Sequence, residues 1–236
     1  MLRVTLSANA GVTIDFEGHR IWIDTLHQRK VVGFSSVTEP ILQQLWEHEA
    51  FREPNLICYT HRHPDHYSRE LTLEAQKHWP QATVIAPDIR ESGWKSVAGE
   101  RWAYFVDNDD HTLDITYIRL PHEGAEFADT IHYGILLTCD GKSVLIPGDC
   151  RLCAPALAEV VKDANIFAVL LDFPWISLPK PRQFVLEHFP GAKILVYHLP
   201  FAQDDVNHYR DAAIKAASRM GDQVNLLLEP FQSVEF

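Results

Sequence analysis

The decisive stretch of the chain is Thr60-His61-Arg62-His63-Pro64-Asp65-His66, which follows directly on the apolar run Leu56-Ile57-Cys58-Tyr59. Alternate side chains of an extended backbone share a face, so His61 and His63 can point at one metal ion while the arginine between them points away. The proline that follows disfavours helix and favours a turn, from which Asp65 and His66 point toward a second metal ion. Imidazole nitrogens with a carboxylate oxygen indicate Zn²⁺, with Mn²⁺ or Fe²⁺ as alternatives.

A histidine-rich surface loop is the plainer alternative, because the chain contains 13 histidines and a chance His-x-His is not rare. A His-x-His-x-Asp-His string behind a strand of buried type is much rarer. The string is the signature of the metallo-β-lactamase-fold hydrolases, and the sequence resembles that superfamily. The chain length and the segment Pro121-His122-Glu123-Gly124 resemble most the stand-alone branch that includes ascorbate-6-phosphate lactonase-type enzymes. The resemblance implies an α/β fold, a four-layer α/β/β/α sandwich, with residues 1–236 as one domain.

Three later positions match further motifs of the superfamily, each at the end of a predicted strand. His122 stands where the resemblance places the third ligand of the first metal, and His132, inside the next strand, is the weaker competitor. Asp149 follows Pro147-Gly148, where a carboxylate bridges the two metals in the family. His198 stands where the last ligand of the second metal is expected. Cys150 departs from the small residue usual after the bridging aspartate, which leaves the local hydrogen bonding open.

The resemblance therefore implies two divalent metal ions, held by His61, His63 and His122, by Asp65, His66 and His198, and by a bridging Asp149. Asp24 ends a strand near the N-terminus, where the family has an aspartate that braces the metal loop. Such a partner would hold a ligand imidazole in one tautomer. An aspartate that simply begins a turn is the alternative.

Hydrolysis is the implied reaction, because water between two metal ions becomes a hydroxide nucleophile near neutral pH. Asp65 would in addition steer that nucleophile or pass a proton to the leaving group. The expected substrate is an ester or lactone of a small molecule. An anionic one is considered because His27, Arg29 and Lys30 in the loop over 25–40 could reach an anion, although such residues are more often solvated.

Two alternatives to ester hydrolysis remain. A phosphodiesterase or nuclease could use the same site, with Arg29, Lys30 and His132 as the candidates for phosphate contact. A redox enzyme or a metal-bound binding protein is disfavoured. Redox diiron members of the superfamily carry Glu where this chain has His63, and a degenerate binding protein would have lost ligands.

Composition limits the partners and the location. The net charge of −11 and the lack of a basic cluster disfavour nucleic acid and favour a small molecule. No apolar stretch approaches the length of a membrane span, and the N-terminus lacks a secretory signal, so a cytoplasmic protein is expected.

Four cysteines are too few for a disulfide scaffold. Cys150-x-x-Cys153 has the spacing of a redox or zinc pair, but buried reduced thiols are the expected state. The oligomeric state is left open.

Hydrophobic spacing predicts helices over residues 40–51, 68–79, 154–161, 182–188 and 204–220, with strands between them and a final strand over 224–228. Loops over 25–36, 92–100 and 173–181 are expected to form the walls of the substrate pocket. Aromatic side chains beside strand ends, such as Trp175 and Phe201, are expected to belong to the core.

Overall fold

Two seven-stranded sheets form the centre of the computed structural model, which describes residues 1–236. The first sheet contains, in spatial order, β14 (Ser233–Glu235), β1 (Leu2–Leu6), β2 (Val12–Phe16), β3 (His19–Ile23), β4 (Leu56–Cys58), β5 (Thr83–Pro87) and β6 (Lys95–Val97). The second contains β13 (Val224–Leu226), β12 (Lys193–Tyr197), β11 (Ile166–Asp172), β10 (Lys142–Ile146), β9 (Tyr133–Cys139), β8 (Thr112–Arg119) and β7 (Arg101–Asp107).

The helices are α1 (Glu39–Glu47), α2 (Arg69–His78), α3 (Pro155–Val161), α4 (Pro174–Ser177), α5 (Pro179–His188) and α6 (Tyr209–Ala217). Short 3₁₀ turns occupy Glu49–Phe51, Ala125–Phe127 and Gly221–Gln223. None of the helices combines the length and the apolar character needed to cross a membrane.

Apolar side chains fill the space between the sheets and the space between each sheet and its helices. In β11, Ala168 and Leu170 belong to the large core that also contains the first sheet, whereas Val169 and Leu171 pack in a second core with α3 and α5. Successive strand residues face opposite sides, so a strand buried on both faces is apolar throughout. This explains the continuous apolar run of β11. The layers are helices, sheet, sheet and helices, which confirms the four-layer α/β/β/α sandwich.

Strand direction brings the predicted ligands to one edge of the sandwich. β3 and β4 run parallel, so Asp24 and the loop after Cys58 leave the first sheet at the same edge. β10, β11 and β12 are also parallel, and they deliver Asp149 and His198 together. β8 runs antiparallel to β9, which runs antiparallel to β10, and a bridge between His122 and Cys150 ties the ends of β8 and β10 together.

The structure differs from the sequence prediction in its last third. The helix predicted over 204–220 begins only at Tyr209. The carboxylate of Asp205 accepts hydrogen bonds from the backbone N–H groups of Tyr209 (2.8 Å) and Arg210 (3.0 Å), and so satisfies the first turn from outside the helix. The prediction also omitted β6, β14 and the single turn α4. Because β14 follows β13, the strand over 224–228 is not the last one, and it ends at Leu226.

Candidate metal centre

Six of the predicted metal ligands lie in two groups of three. The ligand atoms of His61, His63 and His122 lie within 4.8 Å of one another, and so do those of Asp65, His66 and His198. His61 and His63 therefore face one point, and Asp65 and His66 face another. The structure brings together residues from three separate segments of the chain.

Asp149 lies between the two groups. Its Oδ2 atom is 3.6 Å from His122 Nε2 and 3.9 Å from His61 Nε2, both in the first group. The same oxygen is 3.3 Å from Nε2 of His66 in the second group. A carboxylate in this position can supply one oxygen to each of two neighbouring cations.

The histidines of both groups present nitrogens that form no hydrogen bond with the protein. The buried Nε2 atoms of His61, His66, His122 and His198 have no hydrogen-bond partner. Buried polar atoms nearly always have a partner, so four such nitrogens without one, in two neighbouring ligand groups, require an explanation. Divalent ions would satisfy all four, and the set of imidazole nitrogens and carboxylate oxygens is one that such ions accept. The residues present therefore fit a pair of divalent metal ions.

Hydrogen bonds to Nδ1 of two imidazoles leave the Nε2 atoms free. His66 Nδ1 lies 2.9 Å from a carboxylate oxygen of Asp24, which can only accept, so this nitrogen carries the hydrogen. His122 Nδ1 donates to the carbonyl oxygen of Glu123 at 2.6 Å. In each ring the lone pair then resides on Nε2, the nitrogen directed at the centre.

Asp24 organises the loop that carries the histidines. It is fully buried, and its two oxygens accept from the backbone N–H of Thr60 (2.8 Å) and from the Thr60 hydroxyl (2.6 Å) as well as from His66. Since the Thr60 hydroxyl donates to Asp24, its oxygen accepts from His61 Nδ1 at 3.0 Å. One carboxylate thus orients two imidazoles, one in each group, the first through Thr60 and the second directly.

His63 is oriented differently from the other imidazoles. Its Nε2 atom lies 3.4 Å from the hydroxyl of Thr130, which leaves Nδ1 as the nitrogen without a protein partner. The backbone at His198 has a φ of +55°, a left-handed conformation that is costly for a residue with a Cβ atom. Such strain is common where a side chain must be directed at a functional centre.

Burial and charge set the protonation of the ligands. Burial lowers the pKa of His61 well below its usual range and also lowers that of His198, so both rings are neutral and can bind a cation. Burial opposes the charge on His66 as well, but without a metal ion Asp149 and Asp24 prevail and raise its pKa, so a cation that binds Nε2 would displace a proton from it. Burial would raise the pKa of Asp149, yet His66 and His198 hold it well below its usual range.

His132, the competitor for the third ligand position, lies next to the centre but in neither group. Its Nδ1 atom donates to the Leu120 carbonyl oxygen at 3.1 Å, and burial lowers its pKa to about 3. Its Nε2 atom faces Gly148, where an added Cβ would approach to 2.7 Å. The glycine before Asp149, with a φ of +60°, therefore leaves room for this ring.

The basic residues of the 25–40 loop do not line the cavity beside the metal ligands. His27 is fully buried, and its Nε2 atom donates to the Ala8 carbonyl oxygen at 3.0 Å. Lys30 binds Asp204 at 2.6 Å. Arg29 lies in a different surface depression together with Arg62.

The four cysteines are free, so Cys150 and Cys153 form no disulfide. Cys150 is buried, and its Sγ atom donates to the carbonyl oxygen of Arg151 at 3.4 Å. This contact answers the open question of hydrogen bonding after Asp149. Burial raises the pKa of the Cys150 thiol to about 12, which disfavours the reactive thiolate.

A cavity of about 520 Å³ opens beside the ligands and contains His122, Asp149 and His198 in its wall. Four aromatic side chains complete much of that wall: Phe34, Phe127, Phe173 and Tyr209. Phe34 comes from the predicted 25–36 loop and Phe173 from the 173–181 segment, whereas residues 92–100 contribute nothing to it. Trp175 and Phe201 are buried core residues, as expected.

Sequence reasoning missed these wall residues because no local pattern separates an aromatic that faces a cavity from one that packs in the core. It also missed three carboxylates of the same wall, Glu123, Glu126 and Asp172. Asp172 ends β11, between the strands that carry Asp149 and His198, and its Oδ1 atom is buried without a partner. A carboxylate at the end of a strand flanked by two ligand-bearing strands was the available signal.

Comparison of the whole chain with solved structures identifies the fold. An isothiocyanate hydrolase from Delia radicum gut bacteria superposes with a TM-score of 0.67 at 16% identity, covering 99% of each chain. The metallo-β-lactamase fold protein YhfI from Bacillus subtilis gives 0.62 at 14% identity, covering 100% of this chain and 99% of that one. CmlA, a diiron β-hydroxylase from Streptomyces venezuelae, gives 0.59 at 14% identity, covering 100% of this chain and 54% of that one.

No protein-family model matches the sequence, and no curated protein matches it. The likenesses therefore show that the chain has the metallo-β-lactamase fold, as the resemblance implied. Nothing in them separates one branch of the superfamily from another, so the ascorbate-6-phosphate lactonase branch stays a prediction.

Proposed function

We propose that the protein is a metal-dependent hydrolase that binds two divalent ions, preferably zinc, and cleaves an ester or lactone of a small molecule. The observation that carries the proposal is the pair of three-residue groups with Asp149 between them, where four buried imidazole nitrogens have no protein partner. Solved hydrolases with the same fold agree with this class of activity.

Each group of side chains has its own part in the proposed reaction. His61, His63 and His122 would hold one ion, Asp65, His66 and His198 would hold the other, and Asp149 would lie between them. Such ions would supply an acidified water molecule and polarisation of a carbonyl group. Asp24 and Thr60 keep His66 and His61 in the tautomers that binding requires. We assign to Asp65 the steering of the nucleophile or the transfer of a proton to the leaving group.

The alternatives find less support in the site. A phosphodiesterase or nuclease needs cationic groups for its phosphate, and neither lysine nor arginine lines the cavity. The likeness to a diiron β-hydroxylase shows that oxidation also occurs on this fold. The histidine at position 63, where the redox members have glutamate, favours hydrolysis.

Metal-dependent turnover on a small panel tests the proposal. Chelated protein would be reconstituted in parallel with Zn²⁺ or Mn²⁺ and given a carboxylic ester, a lactone and bis(p-nitrophenyl) phosphate. We expect two ions per chain by elemental analysis and ester or lactone turnover that returns with the metal. Turnover confined to the phosphodiester would replace our proposal with the phosphodiesterase, and a chain that retains no metal would refute both.

A further inference from the structure

The cavity beside the metal ligands has an unusual charge pattern for a site that might take an anion. Its wall contains Glu123, Glu126 and Asp172 in addition to Asp149, and no lysine or arginine. Burial raises the pKa of Asp172 well above its usual range, so the negative charge of the wall lies on the other three side chains. Asp65, Asp149, Glu123 and Glu126 alone balance the positive charge of two divalent ions. The exposed Glu123 and Glu126 would also repel an anion that approaches the centre.

Three basic side chains near this edge of the sandwich are paired with acidic ones. Besides the ion pair of Lys30 with Asp204, Arg62 lies 3.5 Å from Asp88. Arg69 forms two hydrogen bonds with Glu91, at 2.7 and 3.0 Å. None of these three side chains is therefore free to compensate for an anionic group in the cavity.

Aromatic rings border both ligand groups. The ring centre of Phe127 is 4.9 Å from that of His63 and 5.0 Å from that of His122, beside the first group. Phe34 stacks on His198 of the second group, with ring centres 5.0 Å apart. A molecule whose reacting bond reaches the centre must therefore place its remaining atoms against aromatic surface.

Another part of the cavity wall is also formed by aromatic rings. Tyr209 stacks on Phe173 with ring centres 4.8 Å apart, and its ring centre is 6.1 Å from that of Phe34. A flat apolar group gains favourable contacts on such surfaces from burial and from ring stacking. A cavity of about 520 Å³ has the size of ordinary small-molecule sites.

From this lining we infer that the substrate is a small aryl or arylalkyl ester or lactone that carries no anionic group. The inference rests on the proposed function, and it replaces the anionic small molecule that the basic residues of the 25–40 loop had suggested. The aromatic walls bind the flat part of the molecule, and the carboxylates exclude competitors with a carboxylate or phosphate group.

Paired ligands test the inference without turnover. Hydroxamic acids bind metal ions in hydrolase sites, so benzohydroxamic acid and 4-carboxybenzohydroxamic acid would be titrated into the zinc-loaded protein by calorimetry. We expect benzohydroxamic acid to bind at least about ten-fold more tightly, because the carboxylate of 4-carboxybenzohydroxamic acid is repelled by the carboxylates of the cavity wall. Equal or tighter binding of the carboxylated ligand would overturn the inference.

A variant that reverses one charge of the cavity wall provides a second test of the inference. Glu126→Lys should reduce the preference for the uncharged ligand by about ten-fold. The matched control is Asp109→Lys, which makes the same change of charge in the exposed turn before β8, at the opposite end of that strand from His122. An equal effect of both variants, or none from Glu126→Lys, would contradict a role for the charge of the wall.

The same comparison with phenyl acetate and 4-carboxyphenyl acetate gives the turnover arm. Hydrolysis of the uncharged ester at least about ten-fold faster, as kcat/KM, would support the inference. If neither ester is hydrolysed while the hydroxamate preference holds, the proposed hydrolase activity fails and the ligand class stands. If neither hydroxamate binds, the inference is overturned together with the metal centre.

Discussion

Replacing Asp24 by Asn tests how far one buried carboxylate supports the whole centre. The asparagine side chain has nearly the same shape and tolerates the left-handed backbone at this position, where φ is +50°. It has one accepting oxygen in place of two, and it carries no charge. The variant therefore changes hydrogen bonding without adding backbone strain or a cavity.

The size of the effect follows from the three hydrogen bonds that Asp24 accepts, at 2.6, 2.8 and 2.9 Å. Asparagine can keep one of them well, and a buried hydrogen bond to a charged group is worth roughly 1.5–3 kcal/mol. We expect the free energy of unfolding of the chelated protein to fall by about 3 kcal/mol. Because His66 loses its fixed tautomer, zinc affinity should fall by about 10–100-fold.

Urea denaturation and competition with a chromophoric chelator measure these two quantities. The matched control is Asp15→Asn, which removes a partly exposed carboxylate that pairs with Arg20 at 2.7 Å on the first sheet. The control should change the free energy of unfolding by less than about 1 kcal/mol and leave zinc binding intact. Wild-type stability together with wild-type zinc affinity in Asp24→Asn would refute the bracing role.

Three further predictions concern the ligands, the pH dependence and the backbone before the bridging residue. His63→Ala and Asp149→Ala should each lose metal and activity but keep a folded circular-dichroism spectrum. The control His111→Ala, on the exposed turn before β8, should retain metal and activity. Two ions per chain in either ligand variant would contradict the assignment. Burial lowers the pKa of His27 from 6.5 to about 4, so its contribution to stability is complete above pH 6.5 and is lost as the pH falls toward 4, amounting to about 3 kcal/mol. Chelated His27→Gln protein should therefore lose less stability than wild type over that window, and parallel urea curves for the two proteins would argue against a neutral His27. Gly148→Ala should destabilise the protein by more than Gly141→Ala, because both glycines have positive φ but only the first would place a Cβ within 2.7 Å of a side-chain atom; equal unfolding midpoints would show that the close contact is relieved at no cost.

Much of the fold could be predicted from local patterns. Alternation and apolar runs predicted most of the strands, and the strand over 193–197 has the predicted bounds. The missed elements are short and lack such a pattern: β6 is exposed at two of its three residues, and β14 at two of three. Their strand geometry comes from pairing with β5 and β1, which is a tertiary effect. The predicted start of the last helix was wrong because Asp204 and Asp205 form contacts that hydrophobic spacing does not reveal.

The candidate site could also be predicted only in part. The histidines and the aspartate of the His-x-His-x-Asp-His string could be named from metal chemistry and spacing, and the resemblance to the superfamily implied the others. The resemblance also implied that Asp24 orients a ligand imidazole, but not which one, and the part of Thr60 was not predicted, since Asp24 and Thr60 lie far from one another in sequence.

The sequence by itself predicted an α/β protein with a metal-binding His-x-His-x-Asp-His string, because both follow from local spacing and side-chain chemistry, and its resemblance to a known superfamily implied the layered sandwich and the remaining ligands. Only the tertiary structure decided which imidazole nitrogens converge on Asp149 and what surrounds them. Phe34, Phe127, Phe173 and Tyr209 come from four separate segments, and Asp172 directly precedes Phe173. The character of a cavity depends on which segments meet around it, and that meeting is fixed by the packing of the two sheets and their helices rather than by any one stretch of the chain.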